Sequence, residues 1–225
     1  MMATLTLSRL ILDAGDRRVR RDLANVYELH RTILAAFPPT LPPDERVLFR
    51  LDEGGDGRLA LLVQSRAARP DWGRLPDGYL LAADPFDPTP NPAVKAVELT
   101  FSRGQVLRFR LRANPTIKKA RPGREQGHRV AIIREEAQLD WLGRKAEAGG
   151  FLIRPADVRV AEPGREFGLT KPGAGADKRH RVELHVVQFD GLLEVTDPAR
   201  FGETLLGGIG SAKGFGCGLL SLARG

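Results

Sequence analysis

A single cysteine, Cys217, is the whole thiol content of this chain of 225 residues, and its neighbours are apolar or glycine. One thiol cannot build a disulfide framework or a cysteine-rich zinc site. No apolar run approaches the length of a membrane span, and no signal-peptide pattern opens the sequence. A cytoplasmic protein with no membrane partner is therefore expected. Acidic residues are outnumbered, 28 Asp and Glu against 35 Lys and Arg, which leaves a net charge of +7. A basic balance points to an anionic partner, and nucleic acid is the commonest one for a soluble chain. Apolar residues make up 42% of the sequence, enough for a real core in one large domain or two small ones.

What is abundant is glycine near the C-terminus. Gly207, Gly208, Gly210, Gly214, Gly216 and Gly218 fall within twelve residues, with Lys213 among them and little else polar. Glycine at this density is expected where backbone turns at positive φ or lies close to something. Successive exposed N–H groups in such a loop attract anions, phosphate above all. A tight helix-to-strand turn, with the glycines serving packing alone, is the other reading, and the stretch by itself does not decide between them. The nucleotide-triphosphate loop is excluded, because Lys213 precedes its glycine and Phe215 follows. The dinucleotide fingerprint is excluded by order: a helix opened by Asp197-Pro198 comes first and an apolar strand, 217–222, comes after.

Along the chain, residues 4–12 alternate as a strand, and 20–37 read as one amphipathic helix closed by Pro38-Pro39. Its apolar face would hold Leu23, Val26, Tyr27, His30, Ile33, Leu34 and Phe37, with Arg31 at the edge. Residues 46–52 and 59–65 read as a hairpin, 67–78 as irregular, and 79–83 as a short strand. Four prolines in 85–92 mark a linker. Residues 94–103 and 105–112 alternate as a second hairpin around Gly104, ending at Asn114-Pro115. Residues 116–130 lack apolar periodicity and carry Lys118, Lys119, Arg121, Arg124 and Arg129. Such a run is either a solvated loop or a basic arm for phosphates. A helix over 135–148 follows, then strands 151–161 and 181–189 around a long extension containing Arg165, Lys171, Lys178 and Arg179. The fold class is α+β: two tandem ferredoxin-like (RRM-like) domains with antiparallel sheets. The first spans 1–84 and the second 94–225, joined by a Pro-rich linker over 85–93.

His30 and Tyr27, three residues apart on one helix, are neighbours on its surface. Imidazole titrates near neutrality, so His30 can take and give a proton, or it is a packed histidine of the core. No set of carboxylates and histidines at ligand spacing stands out, so the residues offer no divalent-metal site and no cofactor is expected.

A glycine-rich loop running from the last helix into the last strand resembles the RAMP superfamily of CRISPR-associated RNA-binding proteins. With Val26-Tyr27-Glu28-Leu29-His30-Arg31, the Arg112-Ala113-Asn114-Pro115-Thr116 strand end with its basic loop, and the tandem ferredoxin-like order, nearly the whole chain resembles the CasE family of CRISPR repeat-processing endoribonucleases. That resemblance implies metal-independent cleavage of a CRISPR repeat stem-loop at the base of its stem, by attack of a ribose 2′-OH. It implies His30 as general base or acid and Tyr27 as an orienting or donating group. It assigns RNA contacts to Arg31, the basic loop, Lys213 and a hairpin from Arg159 to Arg181. It implies repeat RNA and other Cascade subunits as partners. A non-catalytic RNA-binding subunit of the same superfamily is the alternative, with His30 in the core. A cyclic phosphodiesterase is a further one, since His30-Arg31-Thr32 matches half of its paired His-x-Thr motif, but no second copy is present. A generic RNA-recognition module would show paired aromatics on central strands, where only Phe109 and Phe189 occur.

Overall fold

The computed structural model describes residues 2–82, 89–121, 124–169 and 181–224. In chain order, β1 (Met2–Leu12) leads into α1 (Arg17–Ala24) and α2 (Val26–Ala35), then β2 (Leu48–Glu53), β3 (Leu59–Ser65) and β4 (Ala93–Thr100). The second half contains β5 (Val106–Ala113), β6 (Thr116–Arg121), β7 (Arg124–Ala131), α3 (Glu135–Ala148), β8 (Phe151–Leu169), β9 (Arg181–Val195), α4 (Pro198–Gly207) and β10 (Leu220–Arg224). The sheets run β2-β3-β1-β4 and β10-β5-β9-β8, all antiparallel. In each, the first and third strands of the unit lie at the centre. This is the ferredoxin-like arrangement, twice in tandem.

Period-two alternation along β1 joins the two halves. Leu10 and Leu12 enter a core with Val19, Leu29, Ile33 and Phe49, whereas Leu5 enters the other core with Leu111, Phe189, Phe201 and Leu205. The first sheet is thus covered by its own helices on one face and by the second unit on the other. Polar pins cross this contact. Buried Gln64 donates from Nε2 to the Leu205 carbonyl at 2.9 Å, and Arg50 reaches Ser221 Oγ at 2.9 Å while holding Asp52.

Several elements differ from the sequence reading. The single helix over 20–37 is two helices, because Asn25 sits extended at φ −142° and caps the second one through its side chain, which accepts from the Tyr27 N–H. Apolar periodicity runs through the break and does not report it. The strand starting near 94 does not form a hairpin around Gly104: β4 pairs along β1, from Met2↔Thr100 to Arg9↔Ala93, and the chain then crosses to the other sheet. Alternation identifies a strand but not its neighbour. The expected strand 79–83 reduces to one bridge, Leu80↔Leu12, because β4 takes the edge beside β1. Residues 116–131 form not an irregular loop but a two-stranded ribbon, β6–β7, standing outside both sheets. The last strand starts at Leu220 rather than at Cys217. Of the linker expected over 85–93, residues 85–88 lie outside the described residues. Asn91, within it, clamps the end of β1 through Ile11 and also reaches the Leu81 carbonyl.

Candidate functional site

The break at Asn25 decides where His30 points. With α2 started afresh, the helix buries Leu29 and Ile33, and the stripe continues through Ala36 and Phe37. Tyr27 and His30 fall on its flank, half-buried rather than in the core. The imidazole stacks on Phe49 of β2, with centroids 5.9 Å apart and planes 17° from parallel. Across from it lies the glycine-rich loop: a Cβ placed on Gly214 would stand 3.3 Å from His30 Nε2. The other ring nitrogen, Nδ1, is buried and has no hydrogen-bond partner among the described residues. Burial pushes the His30 pKa below its ordinary value of 6.5, which keeps the ring neutral at physiological pH. A neutral imidazole can accept a proton, at the Nε2 that faces the loop, from a hydroxyl brought against it.

The loop is held by its backbone. The Ile209 N–H donates to the Gly218 carbonyl at 2.9 Å, and the Gly218 N–H donates to the Arg112 carbonyl at 2.7 Å. Gly216 and Gly218 have φ of +75° and +91°, and a Cβ on either would press on the Phe49 ring or the Ile209 carbonyl. Turning and packing therefore account for these two glycines, whereas Gly214 keeps clear the space in front of His30. Gly207 and Gly208 close α4, and Gly210 lies against the Trp141 ring. Lys213 folds back so that Nζ donates to the Gly207 carbonyl at 2.6 Å. Burial, helped by Arg46 and Lys145 nearby, lowers its pKa.

The remaining expected contacts are spread more widely. Arg31 is exposed and paired with Glu28 at 2.8 Å. On the ribbon, Lys118 faces Arg129 in register, and Lys119 faces His128 on the opposite side. Arg159 is exposed on β8, opposite Asp190. Lys171, Lys178 and Arg179 lie outside the described residues, as do the side chains of Arg121, Arg124 and Arg165. The structure thus sets His30 against Gly214, with Tyr27 one turn earlier on the same helix and Lys213 turned back to Gly207, while Arg31 and Arg159 stand on exposed faces. Two neighbours of the site escaped the sequence reading. Phe49 gave no signal, because its contact with His30 links residues distant in sequence. Lys145 could have been found: it lies four residues after Trp141, hence above it on the same face of α3.

Thr32 does not join His30. Its hydroxyl donates to buried Asp22 at 2.6 Å, alongside the Tyr79 hydroxyl at 3.0 Å, so the single His-x-Thr match has its hydroxyl committed elsewhere. Among the described residues no three His, Cys, Asp or Glu side chains are grouped as metal ligands. Among the described residues no helix is long and apolar enough to cross a membrane.

Residues 5–224 match the family described as CRISPR associated protein. The CRISPR-associated endoribonuclease Cse3 of Thermus thermophilus is 38% identical over 224 residues, covering 96% of this chain and 99% of that protein. The Cascade subunit CasE of Escherichia coli is 36% identical over 137 residues, 57% of this chain and 63% of that one. Among solved structures, Thermus thermophilus Cse3 bound to an RNA representing a pre-cleavage complex superposes with a TM-score of 0.77 at 34% identity, covering 98% of this chain and all of the other.

Proposed function

The chain belongs to the Cse3/CasE family of CRISPR-associated proteins, and from that premise we propose that it is an endoribonuclease that binds the stem-loop of CRISPR repeat RNA. It cuts at the base of the stem without a metal ion and keeps the product as a subunit of Cascade. The relatives named above as an endoribonuclease, as an RNA complex before cleavage and as a Cascade subunit support this reading.

The observation that carries it is the neutral His30 ring, whose Nε2 faces Gly214 of the glycine-rich loop. In the proposed reaction His30 takes the proton of the ribose 2′-OH upstream of the cut. The 2′ oxygen forms its bond to phosphorus as the bond to the 5′ oxygen breaks, the leaving oxygen takes a proton from water, and the His30 imidazolium returns its own to solvent. The products are a 2′,3′-cyclic phosphate and a 5′-OH. Tyr27, one turn away, orients the reacting groups, and the positive charge of Lys213 and the ribbon offsets the charge that develops on phosphorus. General base catalysis of this kind contributes about 10²–10⁴-fold.

The test is cleavage of a labelled repeat hairpin in EDTA by wild type and His30→Ala, with a 2′-deoxy substitution upstream of the cut as control. Cleavage by wild type alone, and only of the all-ribose substrate, is expected. Tight binding of the hairpin by wild type with no cleavage would instead make this a non-catalytic RNA-binding subunit.

A further inference from the structure

At Gly210 lies a cavity of about 240 Å³ between the β6–β7 ribbon, α3 and the glycine-rich loop, and His30 is not among its lining residues. Lys118 and Arg129 enter it from the ribbon and Lys145 from α3, with the hydroxyl-bearing Thr116 and Ser211 between them. Lys118 and Arg129 are direct partners across the two strands. Like charges so placed repel one another and weaken the ribbon. Among the described residues, none of the three cations pairs with a carboxylate. Lys145 also adds to the field at Lys213 of the loop. Three uncompensated cations around a hollow are stabilised when an anion fills it.

The walls also decide which part of a nucleotide enters. Trp141 is buried, its ring is stacked on Phe189 at 6.3 Å, and Lys145 lies 6.0 Å above it. A Cβ on Gly210 would come within 3.1 Å of the same ring. Among the described residues that line the cavity no aromatic face is left for a base to stack on, whereas cations and hydroxyls are well suited to a phosphodiester. We infer that this cavity binds one backbone phosphate of the RNA, separate from the phosphate cut at His30. The inference rests on the proposed RNA-binding function. Gly210 and Gly214 are four residues apart, so at most about 14 Å of chain separates the two positions. The second phosphate therefore lies within a few nucleotides of the cut.

The experiment uses uncleavable repeat RNA, 2′-deoxy upstream of the cut, in which single phosphates are replaced one at a time by uncharged methylphosphonates. Wild type and Lys145→Gln are compared over a range of salt. Lys145 is exposed, and its loss is expected to weaken binding about tenfold at low salt and to lower the salt slope by about 0.7–0.9, the equivalent of one phosphate contact. One methylphosphonate position is expected to weaken wild type by a similar factor yet leave Lys145→Gln unchanged. If every position instead affects the two proteins equally and the salt slopes coincide, the phosphate site is overturned while the RNA-binding function stands. If wild type does not bind the repeat at all, the functional proposal falls, and this inference with it.

Discussion

His30 and Phe49 lie ring against ring, 5.9 Å apart, although one belongs to a helix and the other to a strand of the sheet beneath it. The same Phe49 ring also meets Gly216 of the loop, so one aromatic side chain sets both walls of the candidate site. Phe49→Leu keeps the core filled and should cost under about 1.5 kcal/mol of stability. It removes the flat surface that fixes the imidazole. The expected outcome is a single-turnover cleavage rate at least tenfold lower with RNA affinity unchanged. Equal rates for Phe49→Leu and wild type would mean that the stacking does not position His30.

The pH dependence follows from the burial of His30. Its pKa lies below 6.5, so the base form dominates at neutral pH. Single-turnover cleavage should be flat above about pH 7 and fall with acidification, with a midpoint below the ordinary histidine value. Stability should move in the same direction. As pH drops below about 6.5 the unfolded chain binds a proton at this position before the folded protein does, so folding weakens until the native ring also titrates. Denaturant melts of wild type and His30→Gln at pH 7.5 and 5.5 check this: the variant should lack that part of the decline.

Much of this architecture was legible in the sequence, and what was not shares a cause. The helix over 135–148 and the Asp197-Pro198 start of α4 were read correctly because their signals are local: caps, glycine stops and 3.6-residue spacing. The placement of β4 was not, because the same alternating residues would suit either sheet, and the choice is made by β1, ninety residues earlier. The β6–β7 ribbon was missed because it stands outside both sheets and its pairing needs no alternating apolar pattern. At the site, Tyr27, His30 and the glycines were visible as residue types. The contact of His30 with Phe49, and the turn of α2 that takes it out of the core, depend on Asn25 ending one helix and capping the next.

Arg50 should be a stability residue, with no role in RNA binding. It is only 3% exposed, holds Asp52 at 2.8 Å and reaches Ser221 in the other sheet. Removing Arg50 leaves the partly exposed Asp52 with only Arg110, 4.0 Å away, among the described residues, and Ser221 without its donor, at a cost of about 1–3 kcal/mol. Arg50→Met should therefore lower the denaturation midpoint strongly. At temperatures where the variant remains folded, RNA affinity and its salt slope should match wild type; a changed slope would place Arg50 at a phosphate.

Three glycine substitutions separate the roles within the loop. A methyl group added at Gly207, a helical residue of α4, would meet nothing within 4 Å, so Gly207→Ala should leave cleavage unchanged and raise stability by about 0.4–1 kcal/mol. Gly218 has φ +91°, and its Cβ would lie 2.9 Å from the Ile209 carbonyl, so Gly218→Ala should destabilise the fold by about 1–3 kcal/mol. Gly214 differs from both. Its φ lies outside the left-handed region, so alanine imposes no backbone strain there, but the added methyl would stand 3.3 Å from His30 Nε2. Gly214→Ala should melt within a degree or two of wild type, bind the repeat hairpin, and cleave it at least tenfold more slowly, because the methyl occupies the space where the reacting hydroxyl must approach. Thermal melts, binding isotherms and single-turnover rates on the three variants check this ordering. Normal cleavage by Gly214→Ala would show that the substrate does not enter between His30 and the loop.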